Sequence, residues 1–236
     1  MRIYEGDVLV VGSGGAGLRA ALEAAREGAK VLVSAKGEPG RCGTTYTAAS
    51  DWMAFGAAFG HADPADSPRE HWIDIMVKGG LLCTPELARI IAYEAPERFQ
   101  ELDDWGGDFD RDERGGFRQI LSDGARYPRA CGRGADTGPI IVEVLMEQCR
   151  QVTAHGPGSV EFLPQSMVVD LAVQDGRVQG AWGLGRHDDE PFAVAAPAVV
   201  LATGGAGELF AINVFPEGQT GDGYAMALRA GLPLTN

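Results

Sequence analysis

A chain of 236 residues with 45% hydrophobic content can bury a sizeable core, and it is long for one ordinary domain without being clearly two. Its net charge of −13, from 33 Asp+Glu against 20 Lys+Arg, argues against a nucleic-acid partner and against a polybasic membrane patch, since both need a basic face. Glycine, at 34 residues, is roughly twice its usual share of about 7%, which suits a protein with many tight turns around a ligand.

The N-terminus runs almost at once into an apolar strand, with no signal segment, and no apolar run approaches about eighteen residues. A cytoplasmic location without a membrane segment is therefore expected. Cys42, Cys83, Cys131 and Cys149 form no C-x-x-C pair, so no metal site is expected and the thiols read as reduced and scattered. His61, His71, His155 and His187 show no ligand spacing either and read as surface or loop residues.

Asp7–Val11 is a short apolar strand, Gly12-Ser13-Gly14-Gly15-Ala16-Gly17 is a G-x-G-x-x-G turn, and Leu18, Ala21, Leu22 and Ala25 recur at helical spacing. Gly12 permits the tight turn, Gly14 lets backbone approach a pyrophosphate, and Gly17 lets the helix pack on the strand. The helix start offers N–H groups and a positive dipole end to phosphates. A second strand over Ala29–Val33 completes a βαβ unit, which points to nucleotide binding. The acidic residue that usually follows such a strand to hold ribose is absent, because the chain reads Ser34-Ala35-Lys36. Hydroxyls, backbone groups or a folded-back Glu38 are the remaining ways to hold it.

Gly37–Ser50 has no clear period and reads as a long functional loop passing along the ligand. Ser67-Pro68-Arg69-Glu70 supplies a capping box and a helix over Pro68–Lys78, ended by Gly79-Gly80. Thr84-Pro85-Glu86 starts another, with Leu87, Ile90, Ile91 and Glu94 as its face; Pro96 is expected to break or restart it, and Phe99 and Leu102 carry the pattern to Trp105. The stretch Asp108–Thr137 holds six arginines, Arg111, Arg114, Arg118, Arg126, Arg129 and Arg133. It reads as a solvated loop, or as guanidinium groups facing an anion. A helix follows over about Pro139–Thr153.

From Val160 the period changes to two. Gln165–Val173 and Arg177–Leu184 read as strands joined by an Asp175-Gly176 turn, with a further strand near Phe192–Ala195, giving a small antiparallel meander. Ala198–Ala202 reads as a buried strand delivering Thr203-Gly204-Gly205-Ala206-Gly207 to the edge where ligands bind in open α/β sheets. Thr220-Gly221-Asp222-Gly223 enters a helix over Tyr224–Ala230. Asp222 there either caps that helix or bonds a cofactor.

These motifs resemble the flavoprotein subunit family of succinate dehydrogenase and fumarate reductase, L-aspartate oxidase included. The likeness rests on Val11–Gly17, the Arg41–Thr44 loop, Val199–Gly207 and Thr220–Gly231, in family order over nearly the whole chain. It implies a Rossmann-like α/β FAD-binding domain over residues 1–236, with a parallel sheet and a small antiparallel meander, incomplete at its C-terminus. It also implies FAD as cofactor, held by Gly12, Ser13, Gly14, Gly15, Ala16 and Gly17 at the pyrophosphate, by Ala35, Lys36, Arg41, Cys42, Gly43 and Thr44 along ribose and flavin, and by Ala202, Thr203, Gly204 and Asp222. The implied reaction is hydride exchange between flavin and a small dicarboxylate. An L-aspartate oxidase-like flavoprotein and a non-catalytic nucleotide-binding scaffold are the alternatives.

Two departures from the family pattern shape the expectation. Respiratory members carry a flavin-linked histidine in an Arg-Ser-His-Thr loop, whereas this chain reads Arg41-Cys42-Gly43-Thr44. FAD is therefore expected to bind non-covalently and at a lower potential, which favours fumarate reduction or an oxidase. The loop also reads Ala48-Ala49-Ser50 where the family usually has a glycine pair. Secondly, the family's substrate segment, capping domain, catalytic arginine and late strand would lie past Asn236, so no catalytic residue is assigned. The chain is then expected to be a fragment or one part of a split enzyme, and to self-associate or meet a partner chain through an open edge.

Overall fold

A computed structural model describes residues 1–48, 50 and 52–235. In chain order the strands and helices are β1 (Arg2–Glu5), β2 (Val8–Val11), α1 (Gly15–Arg26), β3 (Lys30–Ser34), α2 (Thr44–Thr47), β4 (Phe55–Gly56), α3 (Pro68–Lys78), α4 (Pro85–Asp104), β5 (Ala130–Cys131) and α5 (Thr137–His155), then β6 (Ser159–Leu163), β7 (Ser166–Gln174), β8 (Arg177–Gly185), β9 (Pro191–Ala195), β10 (Ala198–Leu201) and α6 (Asp222–Arg229). They form two compact units: Met1–Ala48 with Ile141–Leu234, and the segment between them.

The first unit holds a parallel sheet in the order β10-β2-β3-β6 and a second sheet in the order β1-β9-β8-β7. Leu9, Val10 and Val11 are all buried, because β2 lies between layers and has no solvated face. Leu9, Val11 and Leu32 face a core shared with Val168, Ala181, Phe192, Val194 and Met226. On the other side α1 presents Leu18, Ala21, Leu22 and Ala25, the apolar stripe read from sequence. Asp175 and Gly176 both take positive φ, +51° and +72°, so the β7–β8 hairpin closes on the turn its sequence demands.

Two features of this unit differ from the sequence reading. Arg2–Glu5 is a strand, and it pairs parallel with β9 at the edge of the otherwise antiparallel meander. Ala198–Leu201 is not a buried strand: β10 is an edge, and Val200 is 37% exposed. An apolar run marks a strand without saying how many neighbours it has.

In the second unit α3 packs on α4 around an aromatic cluster, with Phe99 centroids 4.4 Å from Phe109 and 4.8 Å from Phe117. Ser67 caps α3 by accepting the Glu70 N–H, as its sequence predicts, while the Glu70 carboxylate goes to Arg126 rather than back to the cap. Pro96 does not break α4, which runs unbroken to Asp104. Ala88, Ala92, Ala95, Phe99 and Leu102 form a continuous buried stripe across the proline, and that packing outweighs the missing N–H. The expected face is rotated: Leu87, Ile90 and Ile91 are 58%, 42% and 58% exposed. His71 is buried, not a surface residue.

Five of the six arginines of 111–133 are exposed, as the solvated-loop reading expects, and Arg129 is buried; most pair with carboxylates of their own unit. Arg129 is 3% exposed and donates to both Asp66 and Asp74. Arg126 meets Asp74 and Glu70, Arg133 meets Asp108, and Arg111 meets Asp103 while lying 4.0 Å over the Phe117 ring.

Candidate functional site

The carboxyl ends of β2, β3 and β10 and the β6–β7 junction surround a cavity of about 1060 Å³ in the first unit, at the upper end of the size of a small-molecule site. Backbone bonds bring these ends together: Gly12 N–H donates to Ser34 O, Ala202 N–H to Val11 O, and Ser166 N–H to Ala35 O. Fifteen of the sixteen residues expected from sequence line the cavity: Gly12 through Ala16, Ala35, Lys36, Arg41 through Thr44, Ala202 through Gly204, and Asp222. Gly17 does not. A Cβ there would stand 1.9 Å from Gly12 O, so its place is helix-to-strand contact.

The phosphate turn has the shape its glycines predict. Gly12 has φ +114°, and a Cβ on it would meet Ala202 O at 2.2 Å. Around Gly14 the nearest atom to a built Cβ is Thr45 Oγ1 at 3.6 Å, so its missing side chain leaves open room beside the turn. Gly14 is the N-cap of α1 and has no side chain of its own to cap the helix. The Gly15 N–H donates to Thr45 Oγ1; the dipole end and the remaining first-turn N–H groups suit an anion.

The Arg41–Thr44 loop lies against this turn. Cys42 Sγ is 3.5 Å from Ser13 Oγ, and Gly43 takes φ +82° immediately before α2. Part of the loop expected to be irregular is thus a single helical turn. The reading of Ala49 lies outside the described residues.

At the end of β3 the Lys36 ammonium donates to Gly218 O at 3.2 Å and Thr220 Oγ1 at 2.6 Å, and pairs with the Asp222 carboxylate. Thr220 Oγ1 also donates to Asp222 at 2.7 Å. Burial pushes the Asp222 carboxyl up, but the bonds from Lys36 and Thr220 outweigh it and hold it below the ordinary carboxylate value. Asp222 does not cap α6, whose N-cap is Gly221. Glu38 is exposed and outside the cavity wall.

Several lining residues escaped the sequence reading: Arg186, Glu208 and Gln219. Arg186 reaches the wall from the β8–β9 corner and donates to Lys36 O at 3.2 Å; no local pattern marks it. Gln219 directly precedes the Thr220–Gly223 motif, which was the available signal.

The donor set fits a dinucleotide. Bare amides, the glycine space beside Gly14 and the Arg41 and Arg186 cations suit a diphosphate, while Lys36, Thr220, Asp222 and Ser166 offer partners for sugar hydroxyls. Among the described residues no cluster of side chains could hold a metal ion, and no helix is long and apolar enough to cross a membrane.

Known proteins are similar to this chain in sequence and fold. The chain is 37% identical over 232 residues to a fumarate reductase (CoM/CoB) subunit of Methanothermobacter marburgensis, covering 98% of this chain and 41% of that protein. It is 37% identical to the L-aspartate oxidase of Streptomyces coelicolor, covering 98% and 38%. The Mycobacterium smegmatis Sdh1 complex superposes with a TM-score of 0.87 at 34% identity, covering 98% and 39%. Escherichia coli quinol fumarate reductase gives 0.84 at 29%, covering 97% and 37%. The chain thus spans about two fifths of the length of these relatives. Residues 7–236 match the FAD binding domain family, and with the glycine turn, the cavity and these relatives in agreement, the chain belongs to that family.

Proposed function

We propose that this chain holds FAD without a covalent link and forms the N-terminal FAD-binding portion of a fumarate reductase or succinate dehydrogenase-like oxidoreductase. The observation that carries the reading is the single cavity wall built from Gly12–Ala16, Lys36, the Arg41–Thr44 loop and Asp222. The chemistry FAD brings to such a site is hydride exchange with a small dicarboxylate. The chain's own residues bind and orient. The Gly14 and Ala16 amides, beside the Gly15 amide held by Thr45, take the pyrophosphate, and Arg41 and Arg186 balance its charge. Lys36, Thr220 and Asp222 hold the sugar side. Gly43, where respiratory relatives carry the linking histidine, has no side chain to make a bond.

The dicarboxylate site, with its proton donor, is assigned to sequence outside this chain or to a partner chain. The similar Sdh1 protein of Mycobacterium smegmatis is a complex, which supports a partner, as does the half-open β10 edge. A cytoplasmic place is consistent with this reading. The L-aspartate oxidase relative supports a second one, in which the completed enzyme oxidises L-aspartate.

An ultraviolet–visible spectrum before and after acid precipitation tests the cofactor claim. A flavin band released into the supernatant is expected. A band that stays with the pellet would overturn the non-covalent assignment, and a colourless protein that takes up no added FAD would overturn the reading altogether. Dye reduction with succinate against L-aspartate, on the completed enzyme, separates the two substrates.

A further inference from the structure

Among the buried side-chain polar atoms of the described cavity-wall residues, one has no partner. Gln219 is 7% exposed, and its Nε2 is buried without an acceptor. The residue is firmly placed. Its carbonyl accepts the Glu208 N–H at 3.1 Å, and the Glu208 carboxylate accepts the N–H of Gly218 at 2.6 Å. The side chain lies against Gly205, where any Cβ would come within 2.6 Å of Gln219 Oε1. A held, buried donor left unsatisfied is costly, and native chains rarely keep one without a use for it.

The position of Gln219 indicates what would satisfy it. The Gly218–Asp222 segment reaches from the Gly204–Gly205 turn after β10 to Lys36 after β3. It therefore spans the ends of the two strands that flank β2 and its phosphate turn. At the strand end Ala35–Lys36, where the chain itself carries no carboxylate to grip a ribose, Asp222 pairs with Lys36, while the Gln219 side chain lies against Gly205.

Resting on the FAD reading above, we propose that Gln219 is a cofactor-binding residue whose Nε2 donates to an acceptor oxygen in the ribose–pyrophosphate portion of the ADP half. A neutral amide donates where a carboxylate could only accept from ribose hydroxyls, so Gln219 adds a donor toward a ligand oxygen without setting a further negative charge beside the diphosphate. No bond is made or broken in this role; the residue binds and orients.

The test uses the full chain, freed of flavin, titrated calorimetrically with FAD and separately with ADP. Gln219→Met keeps the volume and removes the donor, and it is expected to weaken both ligands by about fivefold to tenfold, the worth of one neutral hydrogen bond. Because the lost donor is unsatisfied in the ligand-free chain, the thermal midpoint of that form should stay level or rise. Gln219→Glu should weaken both ligands further, through repulsion of the diphosphate. Unchanged affinity in Gln219→Met overturns the proposal, and so does a loss seen with FAD but not with ADP. A fall in the ligand-free midpoint that accompanies the affinity loss overturns it in favour of a structural role. If the unaltered chain binds neither ligand, the FAD reading itself falls and the proposal with it.

Discussion

Lys36 and Asp222, from opposite ends of the chain, pair within the wall of one cavity, and Thr220 bonds to both. The Asp222 carboxyl is held below its ordinary value of 3.8 despite the burial that pushes it up. Its stabilising effect is therefore complete above that value and is lost as pH falls through the lower, folded one. Asp222→Asn should weaken FAD by at least about tenfold, the scale of a hydrogen bond to a charged group. In acid titrations followed by circular dichroism, the stability advantage of the unaltered chain should vanish at the acid end. A difference that persists there would show that the carboxylate charge is not its source.

The phosphate turn separates two kinds of glycine. Gly17→Ala would drive a Cβ to 1.9 Å from Gly12 O. It should cost about 1–3 kcal/mol or more, as overpacking against backbone does, read as a lower urea midpoint. Gly14→Ala meets nothing closer than 3.6 Å. It should leave the midpoint nearly unchanged while FAD affinity falls, because the added methyl occupies ligand space. Equal stability losses at both positions would contradict this division.

Arg129 neutralises two carboxylates inside the second unit, with Asp66 and Asp74 both buried beside it. Arg129→Met strands Asp66 and leaves Asp74 with Arg126 alone, and removing one partner of a buried pair costs about 3–5 kcal/mol. The variant should unfold at clearly lower urea. Arg133→Met, whose partner Asp108 is exposed, should differ by less than about 1 kcal/mol.

His71 lies beside the same cluster. Burial, reinforced by the Arg129 charge, lowers its pKa from 6.5, and Asp66 and Asp74 oppose the shift without reversing it. The unfolded chain then binds a proton that the folded chain refuses, so stability falls as pH drops below 6.5. His71→Gln should flatten the dependence of the urea midpoint on pH below that value. An unchanged slope would place the titration elsewhere.

The cofactor turn was legible because its requirements are local. Gly12, Gly14 and Gly17 each answer a constraint set within a few residues, and Asp175-Gly176 names its own turn. Ser67, whose hydroxyl caps α3, is of the same kind. What a residue faces is not local. The stripe Ala88–Leu102 and the apolar set Leu87, Ile90 and Ile91 lie on the same helix, and only packing of α4 on α3 selects the first. Pro96 is tolerated for the same reason.

By itself the sequence determined the strand–turn–helix that seats a phosphate, the meander, and the family, since periodicity and glycine placement act over short spans of chain. Tertiary structure decided which charges meet and which strand is an edge. It also brought Arg186 and Gln219 to the cavity wall and left one buried amide there without a partner. The physical reason is that burial and electrostatics depend on neighbours in space, and the chain brings those neighbours from segments that carry no local mark of one another.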